Sequence, residues 1–559
     1  MLIVFCAAPA FSLYRPDMRY SGAGEVIPVG SRIYDLFDSL FILCGRTSPS
    51  SSRPWTVAEA RSELSKIDRS SIGGYAGRLY DEISEAVSET GAYGISVDFS
   101  LNPEVYIHTN GDFCLEQDWN FGYVDRSPLA YVGIDAQHKG FGFHMELSYG
   151  QSRAGSGDTM VSLRSYVEDV LGKQFCGVGA AEDEHGYSGD FGDIRVTSES
   201  AVYGSGFVFN GTGPTDLEMP REAFLTYAWD GVSVGIYRGR KVWGRSKLGN
   251  FVYDAHVERY NYISLKTFNR KFSFDFTVMA PEVYLNGTSD TRDYGPVRRF
   301  FLSHRLEYQT RDNIKFAFSE NVMYLATYFT DFQFMNPAFL YHNNINSGQF
   351  NALAHVEFEY APCAGVQVYA QLGVDQGSVP FFEDSSTEDL AAGLTIGAQY
   401  MFAAFDGLMD LNLEAVYVTP AMYRRDAPDF IIAAESRISE GYQAIPTFTY
   451  IGFKYGGDTL GFRLDAGFRK DSVSLYAAQS VIFKGEFGLY DKYRPGMFTK
   501  DFLTGDVSVI SITDIGAGYS FSAFGLFDCR AFADVCLISA GNAFDLQIAL
   551  GLKTNYGTR

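Results

Sequence analysis

Proline and tryptophan are scarce in this chain, and positive charge is in deficit. Its 559 residues include 18 Pro and four Trp, and 45 Lys and Arg stand against 67 Asp and Glu, a net charge of −22 at pH 7. A field of that sign repels nucleic acid and anionic membrane surfaces and favours cations or neutral partners. No nucleic acid is therefore expected as a partner. No run approaches the ~20 apolar residues of a membrane-spanning helix. The seven cysteines, Cys6, Cys44, Cys114, Cys176, Cys363, Cys529 and Cys536, are scattered and contain no C-x-x-C pair, which supports neither a zinc site nor a dense disulfide framework. No H-E-x-x-H or P-loop occurs, and "GRSKLG" has the wrong spacing for the last; "GVSVG" at 231–235 matches G-x-S-x-G only within a run of strand alternation, not at a strand-to-helix elbow. Nothing marks a carboxylate pair for glycoside hydrolysis. "EDEH" at 182–185 reads as a solvated acidic loop rather than a metal site. The expectation is a protein that is not an enzyme and carries no cofactor.

Aromatics and glycine are plentiful, with 47 Phe, 37 Tyr and 57 Gly. Mean hydropathy is −0.08, a value shared by soluble proteins and by outer-membrane barrels, whose lipid-facing and lumen-facing residues alternate and cancel. The opening "MLIVFCAAPAFSLYRP" is a short apolar run ending in the small-x-small pattern Ala10-Phe11-Ser12. It lacks a basic n-region, so residues 1–12 read as the remnant of an export signal. Phe5, just before Cys6, is too large for a lipoprotein box.

Residues 13–92 read as a helical unit. In "SRIYDLFDSLFILC", Ile33, Leu36, Phe37, Leu40, Phe41 and Cys44 recur at helical spacing. After the polar break "GRTSPSSSRPW", Thr56 and Glu59 form a capping box, and Val57, Ala60 and Leu64 continue one face. Ile72, Tyr75, Ala76, Leu79, Tyr80, Ile83 and Val87 make a third stripe. Three short amphipathic helices must bury these stripes against themselves or a neighbour.

From residue 93 to 559 the period becomes two. "KFSFDFTVM" places Phe272, Phe274, Phe276 and Val278 on one face and Ser273, Asp275 and Thr277 on the other. "NIKFAF", "VQVYAQL", "GFRLDAGF" and "FDLQIALGL" repeat the pattern, with Gly, Asn and Asp clusters marking turns. Roughly 460 residues of such alternation without a linker exceed a single soluble sandwich. The polar faces carry Asp, Arg, Lys, Gln and Glu, which suits a wet lumen. The expected fold is all-β, a large antiparallel transmembrane barrel behind a small N-terminal helical bundle. The polar, glycine-rich excursion 151–200 is expected to be a long loop outside the cell.

Several stretches together resemble the Wzi-like capsule-assembly proteins of bacterial outer membranes. They are "VIPVGSRIYDLFDSL" with "SRPWTVAEARSEL", the block "PREAFLTYAWDGVSVGIYRGRKVWGRSKLGNFVYDAHVERYNYISLKTF", and "LSHRLEYQTRDNIKFAFSENVMY" followed by "FMNPAFLYHNN". Further on come "VYAQLGVDQ", "DLNLEAVYVTPAMY" and "YIGFKYGGDTLGFRLD". Their order, rather than any single motif, carries the likeness over most of residues 26–490. The resemblance implies a barrel of roughly eighteen strands with a helical bundle blocking its periplasmic side. It also implies a non-catalytic protein in outer-membrane lipid that binds capsular or other surface polysaccharide and organises it, and the chain is expected to be a monomer. A diffusion channel and a surface adhesin are the alternatives. The acidic 151–200 excursion departs from the family, and the net charge calls for divalent cations to bridge any acidic glycan.

The stretch "VWGRSKLGNF", 242–251, interrupts the alternation and is expected at a barrel rim, between a strand at 231–238 and one starting near Phe251. Two readings stand side by side. As a binding surface, Trp243 stacks on a sugar while Arg240, Arg245 and Lys247 hydrogen-bond its hydroxyls or carboxylates. As an ordinary turn, its glycines set the chain and its tryptophan anchors the interface. His304 and Glu307 fall on opposite strand faces and cannot share a metal. Arg305 and Glu307 share a face and read as a lumen ion pair. Together with Asn336 of the Asn-Pro loop, they complete the candidate ligand-binding set.

Overall fold

In the computed structural model of the chain, each period-two segment pairs with its neighbours in one closed antiparallel sheet. The structure describes residues 20, 22–88, 93–109, 128–149, 161–162, 193–194, 206–209, 220–257, 259–281, 298–326, 332–341, 350–376, 389–425, 430–440, 443–489, 491, 493–498, 502–524 and 527–557. The expected export remnant at 1–12, "EDEH" at 182–185 and nearly all of 151–200 lie outside these residues. The sheet contains 20 strand elements. Tyr93–Leu101 and Glu104–His108 are one wall strand broken at Asn102-Pro103, since both pair with Ala543–Gly557. Gly206–Phe209 is an added segment on Glu104–His108. The wall is therefore an 18-strand barrel, closed where the last strand meets the first.

The inside and outside of the wall invert the order of a soluble protein. Glu414, Arg305 and Asp275 are each 1% exposed, whereas Leu413, Ile396 and Leu464 are 60%, 57% and 54% exposed. Polar side chains point into the lumen and apolar ones out, as a bilayer requires of a barrel. The two rims also differ. At one rim, tight links such as His138 to Phe141, Arg311 to Ile314 and Ala404 to Gly407 join the strands. At the other, the links are long, such as 240–259, 281–297 and 419–458, with Ala540 to Ala543 the one tight exception. Outward aromatics Phe141, Tyr227 and Trp229 gather near the tight rim, in ring contact at 4.5 Å and 5.3 Å, the placement of an interfacial girdle.

The N-terminal stripes form three helices, α1 (Arg32–Leu43), α2 (Val57–Leu64) and α3 (Gly74–Ala86). Ile33, Phe37, Leu40, Leu79 and Ile83 bury one another around Trp55, which stacks edge-on to Tyr34 at 4.8 Å. The bundle meets the tight rim: Gly365 donates its N–H to Ile42 O, and Arg46 pairs with Asp312. Half of the expected capping box forms. Thr56 Oγ accepts from Glu59 N–H at 3.4 Å, but the Glu59 carboxylate turns to Lys266 at 3.3 Å. A buried cation outcompetes the local backbone donor for that carboxylate.

One expectation at the site is corrected. The strand after Val232–Gly239 begins at Tyr260, not near Phe251. The intervening link, 240–259, does not stay at the rim but enters the barrel. It carries Trp243, Leu248, Phe251, Val252, Tyr253 and Val257, all buried in one cluster with wall residues such as Met279, Phe301 and Leu353. That much apolar surface is too costly to leave in water at a rim.

A lock inside the lumen

Two chain segments meet at the centre of the barrel. From the tight rim, the segment after α1 threads inward as "TSPSSSRPW". From the opposite rim, the 240–259 link folds down. They pair as a two-residue ribbon, Val242 with Arg53 and Trp243 with Ser52. Gly244 allows the turn beyond it: its φ is +118°, and a Cβ there would lie 2.2 Å from Asn250 Oδ1.

The serines of the ascending segment are buried, and each finds a different wall strand. Ser48 Oγ donates to Gln367 Oε1 at 2.7 Å, Ser51 Oγ to Glu357 Oε2 at 2.7 Å and Ser52 Oγ to Asp275 Oδ2 at 2.6 Å, while Ser50 Oγ lies 3.3 Å from Glu307. Wall lysines take the backbone carbonyls: Lys315 Nζ those of Ser48 and Pro49, and Lys266 Nζ those of Ser52 and Pro54. A polar strand can lie buried in this way because its serine hydroxyls and these carbonyls are matched, while Arg53 Nε and Trp55 Nε1 are buried without a hydrogen-bond partner among the described residues.

Asp275 is the node. One carboxylate oxygen takes the Ser52 hydroxyl, the Lys241 ammonium at 2.8 Å and the Trp243 indole N–H at 3.1 Å, and the other takes the hydroxyls of Ser264 and Thr277. Glu414 serves the descending link: it accepts from Ser246 Oγ at 2.6 Å and from the backbone N–H groups of Lys247 and Leu248 at 2.9 and 2.8 Å. Phe251 is seated against Gly393, where a Cβ would come 2.6 Å from its ring. Arg245 reaches Asp38 on α1, and Arg53 holds the same carboxylate at 2.8 Å. Burial pushes the Asp38 carboxyl upward, but Arg245 and Arg53 more than reverse this and hold it well below the usual carboxylate range.

The expected site residues are therefore dispersed by role. Trp243 is 0% exposed, with Tyr253 edge-on at 4.9 Å and the Lys241 ammonium 5.1 Å from its ring. Stacking on a sugar would require this packing to open. Arg240 is buried, and the Arg245 side chain is committed to Asp38. Lys247 is exposed and contributes its backbone N–H to Glu414. Arg305 pairs with Glu307 at 3.0 Å and with Glu357 at 2.9 Å, and also donates to Ser51 Oγ. Asn336 lies away from all of these, exposed on a segment whose Phe334 and Tyr341 pack on the outward residues Leu302 and Val322. Sequence reasoning missed Asp38, Asp275, Glu414 and the serine run. The run was visible as "SPSSS", but its partners lie more than 200 residues away.

The fold is that of a known barrel. Wzi of Escherichia coli, described as an outer membrane protein involved in group 1 capsule assembly and as a carbohydrate-binding β-barrel, superposes with a TM-score of 0.53 at 12% identity, covering 93% of this chain and 97% of Wzi. Two porin-type structures align less well. Pseudomonas aeruginosa OprD has a TM-score of 0.39 at 8% identity, covering 83% of this chain and 96% of its own. Acinetobacter baumannii OccAB4 has 0.36 at 10%, covering 83% and 98%. No protein-family profile and no curated protein matches the sequence.

Proposed function

We propose that this chain is a Wzi-like protein of a bacterial outer membrane that binds surface polysaccharide and organises it without catalysis. The observation that carries this reading is the lock. A bundle at one rim and an inward link from the other are joined mid-lumen through Val242–Trp243 and Asp275. A barrel built to pass solutes keeps an open path, whereas one that only displays its outer links has no use for one. The bundle acts as a plug on the periplasmic side. The long-link rim, which includes the exposed Asn336 segment and the 151–200 excursion, is the surface offered to glycan. With a net charge of −22, contact with an acidic polysaccharide runs through divalent cations.

Two measurements on the folded full-length protein test this: conductance in planar bilayers and binding to a glycan array. The expected result is glycan binding with conductance far below that of an open 18-strand channel. Steady, large conductance without glycan binding would replace this reading with that of a diffusion channel.

A further inference from the structure

Away from the lock, three side chains converge on the lumen face where the longest link of the chain begins and ends. His144 and Glu146 are two residues apart on the strand Phe141–Tyr149, so both point inward. Glu222 immediately precedes the neighbouring strand Ala223–Trp229, and its carbonyl accepts from Glu146 N–H at 2.9 Å. The donor atoms of the three side chains lie within 4.8 Å of one another, and all three residues are buried.

Two features outside this trio prepare it for a ligand. Asp135 on the adjacent strand lies 2.8 Å from His144 Nδ1. An ionised carboxylate only accepts, so Nδ1 is the donor; when the ring is neutral its lone pair then falls on Nε2, the arrangement of a carboxylate-oriented metal histidine. Phe224 stacks on the ring at 5.5 Å and fixes its plane. Beside the trio the wall has a glycine, Gly133, in register with Glu146 on one side and Asp98 on the other. A Cβ at Gly133 would sit in ordinary contact, 3.7 Å from Tyr131 and 3.8 Å from His144 Cε1, so the wall leaves a methyl-sized space beside the ring.

We propose that His144, Glu146 and Glu222 form a site for a divalent metal ion of the zinc class. One imidazole nitrogen with two carboxylates suits a borderline ion and leaves a coordination position for water, whereas calcium and magnesium prefer all-oxygen sets. Because Glu146 and Glu222 stand at the two stalks of the 150–221 link, the ion ties the base of that link together. Asp135 acts as a positioning residue. The site stands independently of the carbohydrate reading.

The test is zinc titration of detergent-folded full-length protein after EDTA treatment, followed by calorimetry, with heat-modifiability as the check on folding. One Zn2+ per chain is expected. His144→Ala and Glu222→Gln should each weaken binding at least tenfold, and Asp135→Asn by a smaller factor while stoichiometry is kept. X-ray absorption on the wild-type zinc complex should show one imidazole nitrogen with oxygen ligands, a readout that survives if a variant fails to fold. No stoichiometric uptake, uptake unchanged in His144→Ala and Glu222→Gln, or an absorption spectrum without imidazole would each overturn the proposal.

Discussion

Arg245 grips Asp38 through both ends of its guanidinium, Nη1 to Oδ1 and Nη2 to Oδ2 at 3.2 Å each. The two residues are 207 positions apart in sequence, and the contact ties the descending link to the first helix of the bundle. Removing Arg245 takes away one of the two guanidiniums that hold Asp38 and leaves Arg53 on it at 2.8 Å, a loss of about 1–3 kcal/mol. Arg245→Ala should therefore loosen the bundle while the wall, whose ladder it does not touch, remains heat-modifiable. In planar bilayers the variant should show frequent openings that the parent lacks. Conductance indistinguishable from the parent would mean that the pair does not hold the lock shut.

Trp243 allows the two readings of its turn to be separated. Trp243→Ala removes a fully buried ring and leaves Asp275 short of a donor, a loss of roughly 3–5 kcal/mol for such a truncation. The expected outcome is a lowered unfolding temperature and raised conductance, with glycan affinity within about twofold of the parent. A tenfold loss of glycan affinity with stability intact would show that the ring meets sugar in an open state of the lock.

Much of the wall is legible in the sequence, because a strand's alternation depends only on its immediate neighbours. Ser273, Asp275 and Thr277 face inward as the period of "KFSFDFTVM" requires, and Arg305 and Glu307 share a face because they are two residues apart. The lock is not legible in this way. Nothing local distinguishes a glycine turn at a rim from one folded into the lumen, and the deciding contacts, Ser51 to Glu357 or Arg245 to Asp38, join distant parts of the chain. One signal does survive. Trp243, Leu248, Phe251, Val252, Tyr253 and Val257 crowd a single link without either helical or strand period, more apolar surface than a solvated turn can carry.

The serine run makes a separate prediction. Ser51 donates to Glu357 and receives from Arg305, so Ser51→Ala leaves a buried carboxylate oxygen and a guanidinium each without one partner. A penalty of about 1–3 kcal/mol is expected, read as release of the bundle at lower urea than in the parent. Ser65→Ala, on an exposed residue at the end of α2, should leave the release midpoint unchanged. Equal midpoints for Ser51→Ala and the parent would show that the run is not a fastening.

The lock should also respond to pH, with a sign that follows from two buried groups. Burial pushes the Glu59 carboxyl from 4.5 up to about 7, with Asp275 adding to the push and Lys266 opposing it. The docked bundle then binds a proton that the released bundle gives up, so docking is strongest below about pH 4.5 and weakens as pH rises to about 7, by about 3 kcal/mol at most. Burial pulls Lys241 from 10.5 down to about 8, against the attraction of Asp275. Here the docked form binds fewer protons, so docking strengthens as pH rises from about 8 towards 10.5. Together these place the weakest docking between pH 7 and 8. Urea midpoints for bundle release, followed by Trp55 fluorescence across pH 4 to 11, should trace that trough. Glu59→Gln should flatten its acid side and Lys241→Met its alkaline side. A flat parent profile, or a slope that persists in the matching variant, would remove these two residues as its source.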